Sequence, residues 1–239
     1  MKPHEAIAIC IVALAFPSCG GNAGYIAQTP RPEYGAKNII LFIGDGMGAG
    51  QIKAAGMYGT GAEGTLSFEV FPYKGSISTV NAEGGVTDSA AAATAMATGT
   101  KVSNGVLGVA LPGDGMPLET VLEVVKKQGK RTGLVTTTSI THATPAAFAS
   151  HEKSRDEHDA IAAAYLNESR PDILFGGGGY ITQADGKKAG YTWSTTGHTQ
   201  DNVPAYGRGK GAERVSGNME NTDIFQIIIR SATNPLRND

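Results

Sequence analysis

Three observations predict an α/β fold, with a mostly parallel central sheet flanked by helices. Asn38–Ile43, Gly75–Val80 and Arg131–Thr137 have the length and branched apolar composition of strands. Segments of helical character separate them, and this β-α-β order favours parallel pairing. Glycine is abundant, 33 of 239 residues, and clusters where these strands would end, as suits loops whose shape is set by the backbone.

In chain order the first element is a targeting segment. Lys2 precedes an eleven-residue apolar run, Ala6–Phe16, too short to span a bilayer as a helix. Pro17-Ser18-Cys19-Gly20-Gly21 follows, a small residue before a cysteine and then glycines. That pattern resembles a bacterial lipoprotein processing site. Residues 1–18 are read as a signal peptide, with lipidation of Cys19 as the expected anchor and simple cleavage as the alternative. An exported protein is expected, in the periplasm or on the outer membrane or cell surface. Cys10 falls inside this leader, so the mature chain keeps at most one cysteine and no internal disulfide.

Residues 19–36, rich in Gly, Pro and polar side chains, read as a tether, and 37–239 as one domain. Its 41% hydrophobic content suffices for a core. Lys and Arg number 20 against 22 Asp and Glu, so net charge points to no nucleic acid and no anionic membrane surface.

The strand Asn38–Ile43 runs into Gly44-Asp45-Gly46-Met47-Gly48 and then a helix to about Tyr58. A glycine turn there could cradle a dinucleotide pyrophosphate, but the spacing is not G-x-G-x-x-G and no acid ends a second strand about 20 residues on. An acid inside the turn suits a cation better, and a turn-forming Asp is the plainer reading. After Gly75–Val80 comes TDSAAAATAMATG, Thr87–Gly99. Thr87 and Asp88 can cap a helix that the alanines propagate. Ser89 then sits in the first turn, where free amides and the dipole favour an anion. An ordinary capped alanine helix is the plainer alternative.

Pro117–Gln128 reads as an amphipathic helix stopped near Gly129, ahead of the strand Arg131–Thr137. In Thr141-His142-Ala143-Thr144-Pro145 the proline is expected to hold Thr144 extended, its hydroxyl away from any helix. Ser154 and Glu157 have the form of a capping box, opening a helix whose Ile161, Tyr165 and Leu166 face inward. Arg155 would then oppose the helix dipole. It either pairs with Asp159 four residues on or forks onto phosphate oxygens. His151 and His158 read as surface residues. Asp172–Gly179 is a short strand ending in glycines, and Asn218–Ser231 holds a terminal helix with Ile224, Phe225, Ile227 and Ile228.

NIILFIGDGMG at Asn38–Gly48, TDSAAAATAMATG and THATP together resemble the alkaline phosphatase family. The resemblance runs from about Ala36 to Gly179 and resumes from about Trp193. It implies an alkaline phosphatase-like fold with an interior deletion, and phosphate monoester hydrolysis through a phosphoserine. By this resemblance Ser89 is the nucleophile, Arg155 the phosphate clamp, and Asp45, Thr144 and His198 ligands of zinc and magnesium. His142 and Asp88 stand behind them. The implied cofactors are Zn and Mg, the implied partner a phosphate monoester, and a homodimer is a further expectation.

Between Gly179 and His198 the family carries its remaining ligands, an Asp-x-x-x-His pair, an Asp-His pair and a Glu. Here eighteen residues intervene, with Asp185 the only acid and no histidine. Zinc usually takes about three protein ligands even at a catalytic site. Turnover is therefore expected to be sharply reduced. A non-catalytic phosphate- or metal-binding remnant is the second reading, and a dinucleotide-binding domain a remote third.

Overall fold

A computed structural model describes residues 10–13, 35–177 and 197–232. Its strands, in chain order, are β1 (Cys10–Ala13), β2 (Ile39–Phe42), β3 (Tyr73–Ser78), β4 (Gly133–Val135), β5 (Ile173–Phe175), β6 (Val203–Arg208) and β7 (Gly217–Glu220). The helices are α1 (Ala49–Thr60), α2 (Ser89–Thr98), α3 (Val121–Lys127), α4 (Ala143–Ala146), α5 (His158–Asn167) and α6 (Asp223–Ala232).

The α/β class is as expected. Five strands form one sheet in the order β2-β1-β6-β3-β7, and β4 and β5 form a separate pair. The pairings β1–β6, β3–β7 and β4–β5 are parallel, and β1–β2 and β3–β6 antiparallel. β1 falls within the expected leader. The rest of that leader, Cys19, most of the tether, and the stretch with Asp185 and Trp193 lie outside the described residues.

α2 is the element on which the core converges. Seven of its ten residues are buried, five of them alanines. Side chains this small let α4, α3 and α6 pack closely against it. The helix ends at Gly99, whose φ of +74° suits glycine, and a Cβ there would sit 3.0 Å from the Phe225 ring. α6 turns Ile224, Ile227 and Ile228 into the same core, spaced three and four apart as one helix face requires. Phe225 is only half-buried at its flank.

Several local expectations need correction. The amphipathic segment Pro117–Gln128 is helical only from Val121, because Thr120 accepts from the Glu123 amide (3.2 Å) and the Glu123 carboxylate accepts from the Thr120 amide (2.8 Å). This Thr120-x-x-Glu123 box is the true helix start. Ser154–Glu157 is not a capping box: α5 starts at His158 with Glu157 at its cap and no side-chain cap bond. Ser154 Oγ instead accepts from the Asp156 amide in a local turn (3.2 Å). Arg155 consequently lies outside the helix and opposes no dipole. Leu166 faces solvent, 71% exposed, while Ile161 and Tyr165 are buried.

Candidate active site

The site forms where the turn after β2 meets the start of α2. Asp88 caps α2, its Oδ1 accepting from the Ala91 amide at 2.9 Å, which sets Ser89 as the first helical residue. Ser89 Oγ donates to Asp45 Oδ1 at 2.9 Å. Gly46, at φ +70°, lets the chain turn directly behind this acid.

Thr144 Oγ1 donates to the other Asp45 oxygen, Oδ2, at 2.8 Å. Thr144 is not extended, as the following proline suggested, but lies within the short helix α4, capped by His142. Pro145 fits there because first-turn amides have no partner inside a helix. His142 Nδ1 lies 4.0 Å from Asp45 Oδ2 and is buried without a hydrogen-bond partner. Its Nε2 faces Arg155 Nη2 at 3.3 Å. A guanidinium only donates, so Nε2 accepts and the ring proton sits on Nδ1.

Arg155 pairs with Asp88, not Asp159: its Nη1 is 3.0 Å from Asp88 Oδ2. The same carboxylate oxygen accepts from the Gly105 amide at 3.0 Å. The Arg155 amide donates to the Gly105 carbonyl at 2.7 Å, which closes a triangle around the arginine. Six of the expected residues thus meet in one place: Asp45, Asp88, Ser89, His142, Thr144 and Arg155. His198 is exposed and joins none of these hydrogen bonds. Two residues on, Gln200 Nε2 donates to the Gly84 carbonyl at 3.1 Å, which puts this segment beside the loop leading to α2.

The donors fit the implied metals unevenly. The Asp45 carboxylate and Thr144 hydroxyl are hard oxygen ligands suited to a cation such as magnesium; His142 Nδ1 beside them carries the ring proton and does not add to the set. Zinc is not served: among the described residues no group of three or more His, Cys, Asp or Glu stands close enough to hold an ion.

Sequence reasoning overlooked two supports of the site. His151, expected at the surface, has a side chain only 15% exposed and bridges Glu123 to the Gly108 carbonyl. Thr94, fully buried in α2, donates to the Val106 carbonyl and accepts from the Gly108 amide, both at 3.1 Å. The T-x-x-E spacing at Thr120–Glu123 would have located the helix start that carries Glu123. No short motif marks Thr94.

An acid, two hydroxyls and an arginine thus gather at one helix start of an α/β chain. The alkaline phosphatase family model matches residues 36–181, and the chain belongs to that family. It is 36% identical over 178 residues to alkaline phosphatase 4 of Bacillus subtilis, across 67% of this chain and 38% of that protein. To alkaline phosphatase 3 of the same organism it is 38% identical over 192 residues, across 74% and 41%. Streptomycin-6-phosphate phosphatase of Streptomyces griseus is 38% identical over 196 residues, across 73% and 42%. The chain thus spans about two fifths of the length of these relatives. Among solved structures, the alkaline phosphatase of the Antarctic bacterium TAB5 superposes with a TM-score of 0.64 at 19% identity, covering 79% of this chain and 95% of that one. A variant of that enzyme solved with magnesium bound gives 0.62 at 18% identity, covering 77% and 95%.

Proposed function

We propose that this chain transfers the phosphoryl group of a phosphate monoester onto Ser89, and that it releases the group slowly. One observation carries the reading: the Ser89 hydroxyl, at a helix start, lies against the Asp45 carboxylate while Asp88 holds Arg155 in place. Ser89 Oγ attacks phosphorus, the bond from phosphorus to the ester oxygen breaks, and the leaving alcohol departs with a proton. Asp45 Oδ1 holds the serine proton beforehand, and the first-turn amides of α2 favour the anion. Arg155 balances charge on the non-reacting phosphate oxygens.

Asp45 and Thr144 would hold a magnesium ion, and such an ion supplies charge stabilisation to the phosphoryl group. A variant of the TAB5 enzyme, similar in fold, was solved with magnesium bound. Zinc, which the family resemblance implies, finds no complete set of ligands among the described residues, and no step is assigned to it. Release of phosphate from Ser89 needs an activated water, and His198, expected to serve it, stands apart from the other groups. Export and lipidation at Cys19 remain part of the proposal, on the sequence of the leader alone.

The test is incubation with p-nitrophenyl phosphate, with magnesium and with zinc, followed by intact-mass analysis. We expect one phosphoryl group per chain, absent in Ser89→Ala, with little nitrophenol released after the first turnover. Rapid Ser89-dependent turnover would sink the claim of slow release. Phosphate binding by calorimetry without any phosphoserine would favour the second reading, a non-catalytic binder.

A further inference from the structure

Segments 105–109 and 151–155 run side by side as an antiparallel ribbon. Leu107 and Glu152 exchange both backbone hydrogen bonds, at 2.9 and 2.8 Å. At one end the Arg155 amide meets the Gly105 carbonyl, and at the other the His151 ring meets the Gly108 carbonyl through Nδ1 at 2.8 Å. The second ring nitrogen, Nε2, lies 3.0 Å from Glu123 Oε1 on α3. Gly108 is bound on both sides, since its amide reaches Thr94 of α2. Its φ is +59°, and a Cβ there would lie 2.5 Å from the Ser150 carbonyl oxygen and 2.8 Å from His151 Nδ1. The ribbon therefore fits against His151 only with glycine at 108.

Both partners of the His151 ring, a carbonyl and a carboxylate, are acceptors. A neutral imidazole has one N–H and can satisfy only one of them, while an imidazolium satisfies both. We propose that His151, in its charged form, is a positioning residue that holds the ribbon on α3 and so fixes Arg155 four residues along it. This rests on Arg155 being the oxyanion clamp described above.

The surrounding charges agree. Glu123 from α3, Glu168 after α5 and the neighbouring Glu152 are the charged groups that face the ring. The hydrogen bond to Glu123 raises the His151 pKa above its ordinary 6.5, against the opposing effect of burial. Burial also works to raise the Glu123 pKa, but hydrogen bonds from His151 and Thr120 outweigh it and hold the carboxyl at about 2. The sign follows from linkage. His151 gains its proton more readily folded than unfolded, so its contribution is complete below pH 6.5 and is lost as pH rises through the raised value. Above that value the ring can donate to only one of the two; the Gly108 carbonyl keeps the Leu118 amide at 2.8 Å, but the bridge from α3 through His151 to the ribbon is broken on one side.

The experiment is calorimetric titration of the full chain with inorganic sulfate from about pH 6 to about pH 9, a range in which histidine titrates and sulfate does not. Wild type should lose affinity about fivefold across the range, through a single proton, which is the size of one hydrogen bond. His151→Gln and Glu123→Gln should start at the weaker affinity and show no such step. Melting temperatures recorded alongside separate the roles: a merely structural histidine would lower them and leave the sulfate profile of wild type in place. A flat wild-type profile, or a variant that keeps the step, overturns the inference while the clamp survives. No sulfate binding by wild type at any pH, with Arg155→Ala indistinguishable from it, overturns the clamp and the inference together.

Discussion

Asp88 uses each carboxylate oxygen for a different task. Oδ1 caps α2 through the Ala91 amide, and Oδ2 holds both the Gly105 amide and Arg155. Replacing it with alanine removes a cap and leaves Arg155 without its carboxylate. We expect Asp88→Ala to lower the unfolding free energy by about 1–3 kcal/mol, read from urea titration. Asp88→Asn keeps an acceptor for the cap and should lose less. In both variants phosphoserine formation should slow, because the arginine no longer has a fixed position. The sequence showed Asp88 as a cap, since capping is local, but gave no sign that it meets Arg155, 67 residues away. Pairing with the nearer Asp159, one of the two alternatives, needs a helix that begins right after Ser154, whereas α5 begins three residues later, at His158.

At the scale of elements, α2 shows what alanine is for. Ala93 and Ala97 are almost completely buried and leave no room for a longer side chain. Ala97→Leu should cost about 1–3 kcal/mol through overpacking, visible as a lower melting temperature. The cost should reach the site too, because Ser89 opens the same helix. This helix was legible because its cap, its propensity and its glycine stop all lie in one stretch. The start of α3 was equally legible in Thr120–Glu123, but a similar spelling at Ser154–Glu157 drew the assignment. The two S/T-x-x-E patterns differ in tertiary setting, since Ser154 and Arg155 belong to the ribbon with Gly105–Val109. Thr144 is the converse case. Its proline suggested extended backbone, yet the first turn of a helix tolerates proline, and the local rule lost to helix-end geometry.

Across the whole molecule, the β4–β5 pair turns one face to the core through Leu134 and Leu174. The other face leaves Val135 75% and Phe175 65% exposed. Parallel strands are normally covered on both sides, so this bare face should make the chain associate as its concentration rises. Sedimentation of wild type against Val135→Lys and Phe175→Gln checks it: the variants should stay monomeric where wild type does not. The strand order is the part of the fold least visible in the sequence, because β6 and β7 enter the sheet on either side of β3 from more than a hundred residues away. Neither was anticipated, as no local pattern announces which neighbour a strand will choose. That arrangement has a practical outcome. β3 belongs to the part of the chain before residue 178, while both its neighbours, and the α6 that rests on α2, come after residue 196. A protease cut anywhere between those two points would leave two fragments clasped like interlaced fingers, migrating as one particle on gel filtration and separating only in denaturant.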